Sequence, residues 1–226
     1  MAKSSMGTLA VPVVAVELWP HLLVQAAWWA APARRGTPFI ILTRTGHAVT
    51  VSPEAEQAGV TVGQKLTQAR SRCPAVVALP PDRAVAAELW TLMLVTLTAV
   101  SPIVEAGHPD AGVAYLAADG LDRLWGDTAA VARHVCDALR AQGLTARAGG
   151  GPRRAVARAL AQRMIDAPRA VDADEARAFL GSLPVTQIIG AGEDTLLTDL
   201  ARLGLRRGAD LAVLPLDTVA LLGGAR

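Results

Sequence analysis

Aromatic side chains make up only 4% of the 226 residues, with one Tyr and two Phe among them, and cysteine occurs only twice. A core in this chain must therefore be packed mostly from Ala, Val and Leu. Cys73 and Cys136 lie in unrelated apolar contexts with no second ligand beside either. That excludes a disulfide framework and a zinc site and leaves both as buried packing residues. No apolar run reaches the roughly 18 uncharged residues of a membrane span; the stretches 11–16 and 89–100 are too short. The N-terminal Met-Ala-Lys-Ser-Ser-Met-Gly is a short polar tail without a signal-peptide cleavage region, so the expectation is a cytoplasmic protein with no membrane partner. Excess charge of one sign is missing too: a formal net charge of +2 neither demands nor excludes nucleic acid.

What is present is a composition that folds. At 52% hydrophobic the chain is no disordered segment, and its length holds one large domain or two to three small ones. Positive charge is concentrated locally. Between Arg133 and Arg169 eight arginines stand against Asp137 and Asp166, which reads either as a solvated helix face or as a DNA-contacting one.

Taken in order, residues 11–17 form an apolar strand, and Pro20 is expected in the first turn of the next helix. That helix carries Leu22, Leu23, Val24, Trp28 and Trp29 toward a sheet. Residues 39–43 and 47–51 read as a hairpin around Thr45-Gly46. Helical segments follow, punctuated by Gly59, Gly63 and Pro74, then a long helix from Asp82 to about Thr98. Residues 112–120 alternate like a buried strand closed by a turn. A helix from Asp127 or Thr128 is stopped by Gly143, and 144–149 form a short strand. Gly149-Gly-Gly-Pro152 reads as a turn opening the helix of Arg153, Arg154 and Arg158, but it is neither a Walker loop nor a dinucleotide fingerprint. From Asp172 onward the pattern is short helices, with a turn at 182–185 and a Gly190-x-Gly192 hairpin before Thr195.

Several spacings coincide with one known family. Ser52, Ala55, Gly59, Val60, Gly63, Ala69, Cys73 and Pro74 fall on a single pattern, joined by Ser101-Pro102 with Val104-Glu105, by Ala114-Tyr115-Leu116 and by Ala157-Arg158. Together they resemble the Y-family (translesion, UmuC/DinB-like) DNA polymerases. The resemblance implies an α/β (α+β) fold with a ferredoxin-like palm at 9–33 and 81–168. It places a small α/β fingers domain at 34–80 and an all-α helix-hairpin-helix thumb at 169–226, with the little finger absent.

In that family the first strand carries Asp-x-Asp and the hairpin strand two further acids, which hold the metal ions. Here Ala15 and Glu17 stand at the first pair, Gly112 and Val113 at the second. Two divalent ions cannot be held by one carboxylate. The family's triphosphate-contacting Tyr and Arg are replaced by Pro53 and Glu56, and a carboxylate repels a phosphate. Arg158 keeps the positive charge of the family's lysine. The expectation is therefore no catalytic residue, no metal and no cofactor. It is a non-enzymatic homologue closest to the catalytically inactive ImuB-type mutasome proteins, acting as an adaptor in damage-induced mutagenic DNA repair. Implied partners are an error-prone polymerase, a RecA-like protein and a sliding clamp, the last through regions beyond residue 226. DNA is a further partner, at Gly190, Gly192, Thr195, Arg153, Arg154 and Arg158. Two alternatives stay open: an active polymerase fragment with displaced metal-binding acids, Asp110 being the candidate in a shifted register, or a DNA-binding module.

Overall fold

The computed structural model describes residues 11–163, 167–189 and 194–214. The chain runs β1 (Val13–Leu18), α1 (Leu22–Ala30), β2 (Phe39–Leu42), β3 (Ala48–Val51), α2 (Pro53–Gln57), α3 (Leu66–Arg72), β4 (Val77–Leu79), α4 (Arg83–Thr98) and β5 (Val104–His108). It continues through β6 (Val113–Ala117), α5 (Asp122–Trp125), α6 (Thr128–Ala141), β7 (Ala146–Gly151), α7 (Arg154–Arg163) and β8 (Arg169–Ala170). Four helices close the described chain: α8 (Ala173–Ser182), α9 (Val185–Ile189), α10 (Asp194–Arg202) and α11 (Gly208–Ala212).

Five strands form one sheet in the order β5-β6-β1-β7-β8, antiparallel except for the parallel β7/β8 pair. A second sheet, β3-β2-β4, pairs β2 antiparallel to β3 and parallel to β4. The mixed α/β architecture expected from the sequence is thus observed. Among the described residues no helix is long and apolar enough to cross a membrane.

One face of the larger sheet builds the main core. Val14, Val16, Leu18, Ala114 and Leu116 meet Leu89, Met93 and Leu97 of α4 and Val131, Val135 and Leu139 of α6. Strand alternation explains the selection, since residues two apart leave the same face. The smaller sheet has its own core of Ile40, Val51, Ala55, Val60, Ala69, Cys73 and Val76. Helix α1 joins the two: Leu22 and Ala26 enter the first core, while Val24, Ala27 and Trp28 pack on Phe39 and Ile41. Both cysteines are buried and unpaired.

Helix starts follow local chemistry. Asp82 accepts from the Val85 amide at 3.1 Å, Asp127 from Ala130 at 2.7 Å, and Asp172 from Glu175 at 2.9 Å. Each satisfies an amide that the first turn leaves without a partner. Ser52 does more: its hydroxyl accepts from Ala55 at 3.3 Å and Phe39 at 3.1 Å and donates to the Thr37 carbonyl at 3.2 Å, which ties α2 to the edge of β2.

Three local expectations are corrected. Pro20 does not lie in the first helical turn; α1 starts at Leu22, because the His21 ring Nδ1 accepts from the Leu23 amide at 3.1 Å and takes the cap position. Trp28 packs as expected, but Trp29 is 47% exposed, since the stripe facing both sheets passes through Val24, Ala27 and Trp28. The glycines at 149–151 are not a turn: they are the last three residues of β7. Helix α7 lies so close to this strand that a Cβ on Gly149 would stand 2.5 Å from the Ala161 nitrogen and 2.6 Å from the Ala157 oxygen.

That contact gives a stability test. Gly149→Ala should destabilise the fold by about 1–3 kcal/mol through overpacking against backbone. Gly181→Ala, in helix α8 with its nearest neighbour Ala209 Cβ at 3.6 Å, should be neutral or stabilising by about 0.5–1 kcal/mol. Urea denaturation of the two variants beside the parent reads both; equal midpoints would contradict the close helix–strand approach.

Candidate functional site

The middle strand β1 determines what faces what. Ala15 lies between Tyr115 on β6 and Gly149 on β7, and Glu17 lies between Val113 and Arg147. Residues directly opposite on antiparallel strands leave the same face of a sheet. Ala15, Glu17, Val113, Tyr115 and Arg147 therefore share the face on which α7 packs, and Glu105 on β5 extends the row beside Tyr115. Helix α7 adds Arg154, Arg158 and Gln162, which follow one another at four-residue spacing on a single helix stripe.

A cleft of about 750 Å3 opens here. One wall is Ala155, Arg158, Ala159 and Gln162 of α7, His108 and Tyr115 come from the sheet, and Leu180 with residues 186–189 closes the far side. Arg154 is already engaged. Its guanidinium forks onto Glu105, one bond running 2.6 Å from Nη1 to Oε1 and the second from Nη2 to Oε2, and it lies 5.7 Å over the Tyr115 ring. Arg147 stacks over Trp19 at 4.5 Å and donates to the Gln162 carbonyl at 3.2 Å.

Glu17 is the half-buried acid of this face. Burial pushes its carboxyl pKa up, while the nearby Arg158 and Arg147 guanidiniums and the Gln162 side chain pull it back without cancelling the rise. Burial lowers Arg147, offset by the charges of Glu17 and Glu56. Among the described residues two of the four buried side-chain polar atoms without a hydrogen-bond partner lie here: Oε2 of Glu17 and Nε of Arg158.

The residues singled out from the sequence are distributed unevenly. Ala15 and Val113 are fully buried beside Glu17, and Gly112 sits at a left-handed turn (φ +67°) with its carbonyl accepting from the Leu18 amide. Pro53 occupies the first turn of α2 behind the Ser52 cap, and Glu56 is exposed on that helix. Arg153 is exposed, Arg154 is paired, and Arg158 faces the cleft. Thr195 is exposed near the start of α10, whereas Gly190 and Gly192 lie outside the described residues. Asp110 belongs to a separate crevice of about 500 Å3 with His21 and Trp90, where its charge opposes the burial-driven fall of the His21 pKa. The shifted register therefore does not bring Asp110 into the Arg158 cleft.

Residues at the family's metal positions do not fit a two-ion site. Ala15, Gly112 and Val113 offer no side-chain oxygen, and among the described residues no group of three or more His, Cys, Asp or Glu could hold a metal ion. Sequence reasoning counted Arg147 only as part of a basic zone and passed over Gln25. The latter is buried and bonds Trp19 and Thr145 through both ends of its amide, anchoring α1 to the entry of β7. For Arg147 the available signal was its position two residues before Gly149, on the same face of an expected strand.

The raised Glu17 pKa has a signed consequence. Below its ordinary value of 4.5 the group is protonated in folded and unfolded states alike. As pH climbs through the raised folded value, the native state holds its proton longer than the unfolded chain, and stability falls. Glu17→Gln should remove that loss. Denaturation midpoints of parent and variant should coincide near pH 4 and separate at pH 7 in favour of the variant; a less stable variant at pH 7 would contradict the burial of this carboxylate.

The sequence pattern described as IMS, the impB/mucB/samB family, matches residues 21–162. The chain is 29% identical over 195 residues to DNA polymerase IV of Moorella thermoacetica, covering 83% of this chain and 48% of that protein. It is 31% identical over 185 residues to DNA polymerase IV of Listeria innocua serovar 6a, covering 80% of this chain and 51% of that protein. It thus spans about half the length of these curated relatives. The crystal structure of DinB from Sulfolobus solfataricus superposes with a TM-score of 0.77 at 20% identity, over 95% of this chain and 63% of that one. These relatives overturn the expectation that the chain is not an enzyme, because proteins aligned along most of it are named as polymerases. The physical reason for the error is that a gap in a motif shows where acids are missing, not whether others take their place. With the family match running through the sheet and α7 wall of the cleft, the chain belongs to the impB/mucB/samB family and carries the core of a Y-family (UmuC/DinB-like) DNA polymerase.

Proposed function

We propose that this chain is the polymerase core of a protein acting in translesion DNA synthesis; its relatives are named DNA polymerase IV. The observation that carries this reading is the coincidence of the family match, residues 21–162, with one wall of the cleft: Tyr115 from the sheet and Arg158 and Gln162 from α7. We read residues 9–33 and 81–168 as the palm, 34–80 as the fingers and 169–226 as the thumb.

In this reading primed DNA lies in the cleft between α7 and α9, and nucleotide addition takes place at the β1/β6 end of the palm face. Arg158 supplies a forked donor for phosphate oxygens. Tyr115 and the apolar wall of Leu180, Ile188 and Ile189 give a surface against which sugar and base can pack. Because the aligned acid positions do not fit two ions, the carboxylates serving the reaction would be displaced from the family's positions, as the sequence alternative allowed. Glu17 is the acid of this face nearest to them.

The assay is single-nucleotide incorporation on primed DNA, undamaged and abasic, with Mg2+ or Mn2+. Template-directed incorporation is expected, and Arg158→Gln should slow it by about 100-fold through loss of a phosphate-directed donor. A preparation that binds the primed DNA yet adds no nucleotide with either ion would sink the reading.

A further inference from the structure

Tyr115, the single tyrosine of the chain, stands where three elements meet. It lies directly opposite Glu105 in the β5/β6 register, so the two side chains leave the same face of the sheet. Strand β5 shifts register between Ala106 and His108, and Gly107 falls at the shift. A Cβ on Gly107 would stand 2.8 Å from Cε2 of Tyr115, so the bare backbone of this residue is what lets the ring lie against the strand. From α7 the Arg154 guanidinium lies 5.7 Å over the same ring, while both of its terminal nitrogens donate to the Glu105 carboxylate. Two parallel bonds fix the plane of a guanidinium as well as its position. Arg154 is thus turned to the ring and the carboxylate. Of the three side chains it is Tyr115 that lines the cleft.

We propose that Glu105 and Arg154 are positioning residues for this cleft, a clamp that holds the Tyr115 ring in one orientation for the primed DNA seated against it. The side chains of the pair are 57% and 49% exposed, Arg154 first, and an ion pair so open to solvent adds little to stability. Its effect is local. A cation over an aromatic face attracts the ring, and the fork on Glu105 keeps that cation from moving away. Without the clamp the ring is free to turn about its side-chain bonds into the cleft of about 750 Å3 beside it. This assignment rests on the reading that DNA enters the cleft. It adds two residues that touch no DNA and act on it through a third.

The test uses the intact chain labelled with fluorotyrosine, which puts one fluorine reporter at residue 115. Arg154→Gln and Glu105→Gln should each move the fluorine resonance toward its position in the denatured chain, and the double variant should move it no further than the larger single change. Melting temperatures should stay within about 4 °C of the parent, as befits an exposed pair. Fluorescence anisotropy with a primed duplex oligonucleotide, at one fixed salt concentration, should show Kd raised about two- to fivefold by either substitution. The sign for Glu105→Gln separates positioning from charge. Removing an anion beside DNA tightens binding when charge alone acts, whereas loss of the clamp weakens it. Arg154→Lys, which keeps the charge and loses the fork, should fall between the parent and Arg154→Gln. A resonance that neither substitution moves, a Kd that neither changes, tighter binding by Glu105→Gln, or a parent that does not bind the duplex would overturn the proposal. If both variants move the resonance and weaken binding while the parent adds no nucleotide, the polymerase reading falls and the clamp stands. If the parent adds nucleotide and the resonance stays in place in both variants, the clamp falls and the polymerase reading stands.

Discussion

The contact of α7 with the glycine end of β7 is the constraint on which the rest of the site depends. Gly149 and Gly151 leave no room for a side chain beneath the helix, and Ala157 and Ala161 present equally small groups from above. This lets the helix lie nearly on the backbone of the sheet. From that position Arg158 and Gln162 reach the row of Ala15, Glu17 and Arg147 across β1 and β7. A bulkier residue at either surface would lift the helix and separate Arg158 from Glu17, while Arg147, on the sheet itself, would stay opposite that carboxylate.

The electrostatics follow from that closeness. A half-buried carboxylate in an apolar sheet is costly in its charged form, and here two guanidiniums reduce the cost without removing it. Arg147 is itself shared among Glu17, Glu56 and the Trp19 ring, which links the larger sheet to α2 through charge. Arg154 takes no part in this balance, because its fork on Glu105 at the edge strand satisfies it outside the cleft. A zone of eight arginines that looked uniform in sequence therefore divides into residues with different tasks.

Much of the local structure was legible because it depends on neighbours in the chain. The Asp82, Asp127 and Asp172 caps, the apolar run of β1, the alternation of β6 and the helix stop at Gly143 each rest on residues within one or two turns. What escaped was set by residues far away. Gly149 to Gly151 carried a turn signal that the helix above them overrides, and His21 displaced Pro20 from the start of α1 by capping it. Trp29 faces out although its neighbour faces in, since only one stripe of α1 meets both sheets.

By itself, then, the sequence determined the mixed α/β class, the strands β1, β2, β3 and β6, the helices α4 and α6, the family pattern around Ser52, Gly59, Gly63 and Cys73, and the absence of acids at Ala15, Gly112 and Val113. All of these are properties of composition and spacing along one strand of chain. Only the tertiary structure decided that Arg147 stands opposite Glu17, that Arg158 and not Arg154 faces the cleft, and that Asp110 turns to a different crevice with His21. Strand register and helix placement join residues more than a hundred positions apart, and no local pattern of hydrophobicity or charge records which distant partner each side chain will meet.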